Sequence, residues 1–249
     1  AEAARIEAKT GLGPEEPADW TTIASLMHMP RDPGKLLFEQ HAGYFDLPHV
    51  DIASIPAEEF PLYHSWSYDR IYRNDMIKQP DVLMFLFLYN RSFSREEKLA
   101  NYEFYEPRCI HESSLSPSIH SILAAELGKH EEACRFFGFA TRVDLDDYNR
   151  NTREGLHMTA IAAAWMNIVY GFGGLRSDGD RISLAPSLPA AWTGFSFRLR
   201  IGANLVSLAV TRQGSELTLL SGPGLELEIG GQAVRLDPAA PRLALTEVA

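Results

Sequence analysis

The sequence predicts a mainly α-helical chain followed by a C-terminal all-β domain, and three observations carry that prediction. Up to about Arg176 the apolar residues recur at a spacing near 3.6 in one segment after another. After Gly173 and Gly174 they alternate with polar residues over short runs separated by Gly, Asn and Pro. The helical segments also alternate between apolar nearly all round and apolar on one face, as two concentric layers require. The helical part therefore reads as a helical barrel or a part of one.

The helix-forming segments are, in order, EEPADWTTIASLM, PDVLMFLFLYN, SREEKLANYEFYE, PSIHSILAAEL, KHEEACRFFGFAT and EGLHMTAIAAAWMNIVYGF. PDVLMFLFLYN and EGLHMTAIAAAWMNIVYGF lack a polar face and are expected inside, with the Trp20 and Trp165 rings in the core. SREEKLANYEFYE and KHEEACRFFGFAT keep a charged face for water. GFGG at residues 171–174 follows a helix instead of opening one, so it reads as a helix stop and not as a dinucleotide fingerprint. From Asp178 onward RISLAP, FSFRLRI, LVSLAVTRQ, ELTLLSG, LELEIGG and AVRL predict a small antiparallel β domain.

Composition narrows the function classes. A chain of 249 residues that is 45% hydrophobic can bury a substantial core. Its formal net charge is −10, and its 23 basic residues are scattered, which argues against a nucleic-acid partner. Cys109 and Cys134 show no CxxC spacing, so neither a disulfide framework nor a zinc site is indicated; no metal is expected, and reduced thiols fit a cytoplasmic location. The most apolar run, residues 82–89, falls short of the roughly 20 residues that span a bilayer, so no membrane segment is expected. The chain begins with Ala1, and AEAARIEAK reads as a helix already under way, so a piece of a longer polypeptide is expected.

Three polar clusters occupy the same relative place. IKQ at residues 77–79 precedes the buried helix beginning at Pro80, HESSLS at 111–116 precedes the one beginning with Pro117, and TREGLH at 152–157 opens the third. Proline is favoured at a first helical position, where its missing N–H would have no partner anyway. Inner helices of a layered barrel run parallel, so Lys78, Gln79, Ser113, Ser114 and His157 are expected around one pocket floored by helix N-termini. Such a pocket suits an anion, each charge-assisted hydrogen bond contributing about 1.5 to 3 kcal/mol. Taken singly the residues have plainer readings: Ser116 as an N-cap, Ser113 and Ser114 as partners of loop backbone, and His157 as a core histidine.

Other signals are weaker. DLDDYNRNTREG starts like a calcium loop at Asp144 but lacks glycine at the sixth place and glutamate at the twelfth, so it reads as a solvated connector. Trp66, Tyr68, Asp69 and Asp75 lead toward the KQ rim and are candidates for contact with an acceptor sugar, with packing as the alternative.

MIKQPDVL, HESSLSPSIHS, NTREGLHM and AAWMNIVYGFGGLR resemble blocks of glycoside hydrolase family 65, the family of maltose, trehalose, kojibiose, nigerose and glucosylglycerol phosphorylases. The resemblance runs from about Trp20 to the end, and LPHVDIASIP with DLDDYNRNTREGLH is most similar to the kojibiose phosphorylases. It implies part of an (α/α)6 barrel over residues 1–176 and a small antiparallel β-sandwich over 177–249. It also implies that Lys78 and Gln79 line the glucose subsite and that Ser113, Ser114 and His157 bind phosphate.

The family's general acid is a glutamate in a Gly-Pro-Asp-Glu-Tyr-like block well upstream of KQ, and no such block occurs here. GLGPEEPADW at residues 11–20 lies elsewhere, and its glutamates open a helix. The tryptophan and aspartate that the family uses around glucose are missing too, so no catalytic residue is expected in this chain.

The implied reaction is inverting phosphorolysis of an α-linked glucose disaccharide or glucoside, giving β-glucose 1-phosphate and the released acceptor. Inorganic phosphate is the co-substrate, and no cofactor is expected. The implied partners are those substrates and the missing N-terminal part of the same enzyme; a homodimer is common among such proteins, and the oligomeric state stays open. Two alternatives remain. One is a hydrolase of the family, with Glu112 or Glu154 as a base on water. The other is a carbohydrate-binding or structural piece without activity, and the isolated chain is expected to be inactive.

Overall fold

The architecture is that of a computed structural model, which describes residues 9–11, 13, 15–179 and 181–245. The helix expected at residues 1–9 lies outside them apart from Lys9. Helices form in all six segments that the apolar periodicity marks, and two short ones form where it marks none. They are α1 (Glu16–Leu26), the short α2 (Leu62–Ser65) and α3 (Tyr68–Tyr72), α4 (Asp81–Leu88), α5 (Arg95–Tyr105), α6 (Ser116–Glu126), α7 (His130–Arg142) and α8 (Met158–Met166). α8 continues as a π-helix, Asn167–Phe172. A small hairpin of β1 (Arg31–Asp32) and β2 (Leu37–Phe38), not anticipated from the sequence, precedes α2.

Local chemistry explains several starts. α5 opens with a capping box in which Ser94 accepts from the Glu97 backbone and the Glu97 side chain returns to the Ser94 N–H. α6 departs from expectation. Ser116 is its first helical residue and not its N-cap, because its hydroxyl turns back to donate to the Ser113 carbonyl at 3.2 Å.

The helices form two layers, and hydrogen bonds at both ends fix their directions. Ile77, just before α4, makes a parallel bridge with Cys109, ahead of α6: Ile77 N donates to Arg108 O at 2.8 Å and Ile110 N to Ile77 O at 2.9 Å. Beyond α4, the Asn90 amide reaches Glu126 Oε2 at the last residue of α6, 2.8 Å away. α4 and α6 therefore run parallel. α8 runs with them: the Asn167 amide nitrogen, properly oriented, donates to Ser118 O at 3.1 Å, while one turn further Gly171 packs against Ile122. α5 and α7 return antiparallel on the outside. Lys98 near the start of α5 sits at the Asn90 and Glu126 end, and Ser121 in α6 donates to Ala133 O near the start of α7. The core between the layers is filled by Leu83, Leu86, Tyr102, Tyr105, Ile122, Leu123 and Phe172.

One expectation is overturned. The Trp20 and Trp165 rings are not in the core; each is 51% exposed. α1 buries no residue, and α8 shows Met158 and Ile161 to solvent beside Trp165. In α8, apolar character all round therefore gives burial on one side only, with Ala160 and Ala163 buried.

The C-terminal part is two sheets. β4 (Gly194–Ile201), β5 (Asn204–Thr211), β6 (Gly214–Ser221) and β9 (Arg242–Leu245) form an antiparallel sheet in that order, and β3 (Ser183–Leu184), β7 (Leu225–Ile229) and β8 (Gln232–Leu236) form the other. Their inward residues, Val206, Leu208, Val210, Leu217, Leu227 and Leu236, make one core between them. Two details differ from the sequence reading: the short β3 pairs parallel with β7, and β9 was not anticipated.

The junction between helices and sheets is stitched closely. Gly174, at φ 62°, lies so near Ala185 that a Cβ would come within 2.2 Å of its carbonyl oxygen. Glu126 receives Lys98 Nζ at 2.7 Å and Arg176 Nη2 at 2.6 Å, joining α5, α6 and the first bridge of the β domain. Burial alone would raise the Glu126 carboxyl, but Arg176 and Lys98 outweigh it and hold it below the usual carboxylate range.

Arg176→Ala should therefore cost about 3 kcal/mol in urea unfolding at neutral pH, since it leaves the largely buried Glu126 charge with Lys98 alone to offset it. Because the folded state favours ionised Glu126, its contribution is present above the ordinary carboxylate pKa and is lost as pH falls through the lowered value. The gap between wild type and variant should shrink in acid; a gap independent of pH would contradict the pairing.

Candidate functional site

The parallel course of α4, α6 and α8 puts the starts of all three helices at one end of the helical layer. The segment carrying Lys78 and Gln79 is held there by the Ile77 bridge and by Asp75. Asp75 accepts from Val50 N at 3.0 Å and Arg108 Nε at 2.8 Å, and pairs with His49 Nδ1 at 2.7 Å. It is thus a buried clamp on the chain and not a sugar-contacting group. Lys78 is exposed, with Nζ 5.3 Å from the Tyr63 ring centroid, and Gln79 is half-buried. Of the other candidates for acceptor contact, Trp66 packs under the Arg70 guanidinium at 3.4 Å, Tyr68 stacks on Tyr72, and Asp69 pairs with Arg73.

The HESSLS segment turns sharply into α6. His111 has φ 51°, unusual for a residue with a side chain, and it aims the following residues onto the rim. Glu112 accepts from the Leu62 backbone N–H. Burial pushes its carboxyl above the usual range, with Leu62 N–H and the nearby Lys78 charge acting against that. Ser113 is buried, and its hydroxyl accepts from Leu115 N at 3.2 Å. Ser114 is half-buried, and among the described residues its hydroxyl has no hydrogen-bond partner.

The third cluster is organised by a residue that the sequence left unassigned. Asp144 takes both polar groups of His157: Oδ1 lies 2.5 Å from Nδ1, and Oδ2 accepts the His157 backbone N–H at 2.9 Å. The imidazole hydrogen bond holds the Asp144 carboxyl below its ordinary value. The same bond fixes Nδ1 as the protonated nitrogen and leaves Nε2 without a partner among the described residues. DLDDYNRNTREG is therefore more than a solvated connector. Asp144 aligns His157, Asp146 pairs with Arg142, and Asp147 accepts from Thr152 N.

The clusters converge on Tyr63, a second residue that the sequence reading missed. Burial raises its hydroxyl, and the charges of Glu112 and Glu154 raise it further, while Lys78 lies over its ring. Lys78 thus lies over Tyr63 and near Glu112 of HESSLS, although Lys78, Ser114 and His157 share no direct hydrogen bond among the described residues. Tyr63 has no signal in the sequence and Asp144 only that of an incomplete calcium loop, because each acts through a contact made only on folding.

The two serines differ in a way that can be measured. Ser113→Ala should lower stability by about 1 kcal/mol through loss of the Leu115 N–H acceptor. Ser114→Ala should leave the melting temperature unchanged. Equal effects in calorimetry would contradict these assignments.

Comparison with known proteins agrees with the fold. The description "Glycosyl hydrolase family 65 central catalytic domain" matches residues 1–166, and "Glycosyl hydrolase family 65, C-terminal domain" matches residues 175–236. A maltose phosphorylase of Bacillus subtilis is 39% identical over 223 residues, which is 90% of this chain and 30% of the relative. An alpha,alpha-trehalose phosphorylase of Thermoanaerobacter brockii is 35% identical over 94% of this chain and 30% of its own length. A solved structure provisionally assigned as a kojibiose phosphorylase from the human microbiome superposes with a TM-score of 0.86 at 48% identity, covering 98% of this chain and 33% of that one. The chain thus spans about a third of the length of the relatives it matches. No helix among the described residues is long and apolar enough to cross a membrane. With a family match over most of its residues, the chain belongs to glycosyl hydrolase family 65.

Proposed function

We propose that this chain supplies the phosphate-binding side of an inverting phosphorylase acting on an α-linked glucose disaccharide or glucoside. The observation that carries the proposal is the shared rim of α4, α6 and α8, which brings together His157, aligned by Asp144, and Ser114, whose hydroxyl has no partner among the described residues, at one end of the helical layer. Helix N-termini offer free N–H groups and the positive ends of their dipoles, and serine hydroxyls together with His157 in its doubly protonated form, whose Nε2 then donates, add direction. Ser113, Ser114 and His157 would hold phosphate, with Lys78 and Gln79 toward the glucosyl ring.

In this mechanism a phosphate oxygen forms a bond to the anomeric carbon from the face opposite the leaving group. The glycosidic C–O bond breaks, and the departing oxygen takes a proton from a carboxylic acid that lies elsewhere in the whole enzyme. The product has inverted configuration, β-glucose 1-phosphate, and the acceptor sugar or polyol is released. An inverting glycosidase needs a second carboxylate to activate water. Phosphate is already a nucleophile, so this side of the site needs only to position an anion and complement its charge. The reaction demands no cofactor.

The exposed apolar residues of α8, Met158, Ile161 and Trp165, suit the remainder of an (α/α)6 barrel supplied by the rest of a family 65 polypeptide. The identities with maltose and trehalose phosphorylases and with the kojibiose structure point to the substrate class and leave the linkage to measurement. A hydrolase is disfavoured at Glu112, whose carboxylate is engaged by Leu62 N–H, and at Glu154, which is exposed.

The test is cleavage of maltose, trehalose and kojibiose, with and without phosphate, by a full-length family 65 polypeptide carrying this segment. Phosphate-dependent release of β-glucose 1-phosphate is expected, and turnover independent of phosphate would replace the proposal with hydrolysis. His157→Ala should reduce kcat/KM by roughly 10 to 150-fold, with a raised phosphate KM, as expected for one charged hydrogen bond of about 1.5 to 3 kcal/mol. Asp144→Asn keeps the shape but not the charge that orients the imidazole, and should lower activity by about 10-fold. An unchanged phosphate dependence in both variants would contradict the assignment.

A further inference from the structure

Beside this rim lies a cluster that the phosphorolysis reading does not use. Cys109, His111 and His120 each offer one ligand atom, and those atoms lie within 4.8 Å of one another. We infer that the three residues form a binding site for a borderline-soft divalent cation, Zn2+ being the natural occupant.

The clearest observation concerns His120, which is completely buried in α6. Its Nδ1 lies 2.8 Å from the Ser116 carbonyl, one helical turn earlier, so Nδ1 carries the proton and donates it. That leaves a lone pair on Nε2, an atom buried without any partner. Buried acceptors are rarely left so. An imidazole that donates through one nitrogen to a backbone carbonyl and presents the other is the usual arrangement of a metal-bound histidine.

The other two groups complete a consistent donor set. Cys109 is buried, its sulfur 3.9 Å from the Lys78 carbonyl and within reach of the Ser116 hydroxyl and the His111 backbone N–H. The His111 ring is held against His120 at 4.7 Å and Phe136 at 4.9 Å between centroids, and its Nδ1 lies 3.2 Å from Ser116 Oγ, which leaves Nε2 as the nitrogen for the cation. One sulfur and two imidazole nitrogens suit Zn2+, whose bond lengths place tetrahedral ligand atoms about 3.3 to 3.8 Å apart. Closing from within 4.8 Å needs only small side-chain adjustments.

A route in exists. Cys109 and His111 line a cavity of about 520 Å³ together with Glu112 and Tyr148, so the fourth coordination position can be filled by water. Burial keeps both imidazoles neutral near pH 7, with His111 pushed down to about 3 and His120 to about 4, so their lone pairs are available. Burial also pushes the Cys109 thiol up to about 12, so the cation must displace that proton, and one proton leaves for each ion bound. The cysteine spacing gave no hint of this, because the donors are one cysteine and two histidines brought together by the turn into α6.

The test is titration of the metal-free chain with Co2+, followed by visible absorption. One Co2+ per chain with the intense bands of tetrahedral sulfur and nitrogen coordination is expected, and Zn2+ should displace it. Cys109→Ser should abolish the bands, and His120→Gln should weaken binding at least about 10-fold, as loss of a supporting or direct ligand does. Cys134→Ser serves as the control and should change nothing. A wild-type chain shown by circular dichroism to be folded that takes up no stoichiometric Co2+ would overturn the inference, as would bands that survive in Cys109→Ser. Neither result bears on phosphate dependence, which rests on other residues.

Discussion

The parallel alignment of α4, α6 and α8 is the constraint on which the rest of this structure depends. It is latched at both ends, by the Ile77 and Cys109 bridge before the helices begin and by Glu126 where they finish. With the latches in place, three polar segments that are far apart in sequence reach the same rim, and three helix N-termini point the same way. An antiparallel bundle of the same helices would divide those segments between two ends and cancel their dipoles.

That rim is not uniformly positive, and the balance among its charges shapes what it can hold. Glu112 and Glu154 bring negative charge near Tyr63, yet Glu112 is engaged by backbone and sits beside Lys78. Asp144 is also negative, but it spends its charge on orienting His157. The groups left for a ligand are the Ser114 hydroxyl and the Nε2 of His157, neither with a hydrogen-bond partner among the described residues, and the exposed Lys78 ammonium. The adjoining Cys109, His111 and His120 lie on the inner side of the same turn, where buried lone pairs dominate instead.

Glu126 shows how the two halves of the chain depend on one another. A carboxylate buried at the end of α6 needs cations, and it draws Lys98 from the outer layer and Arg176 from the edge of the β domain. Gly174 permits the close approach that brings Arg176 within reach. The β domain is thus tied to the end of the helical layer opposite the rim, which leaves the rim clear.

Much of this was written in local chemistry. The 3.6-residue periodicity located the helices from α4 to α8, alternation located β4 to β8, and Gly173 with Gly174 marked the change, because each signal depends on neighbours along the chain. The segments IKQ, HESSLS and TREGLH could be singled out from their place ahead of apolar helices. Tertiary structure alone decided the rest. It made Asp144 the partner of His157, turned Asp75 into a clamp, placed Tyr63 among three segments, joined β3 parallel to β7, and left Trp20 and Trp165 in solvent. The physical reason is the same in each case: hydrophobic periodicity tells which face of an element avoids water, whereas a hydrogen bond between residues distant in sequence exists only once the packing of whole elements has set the distance between them.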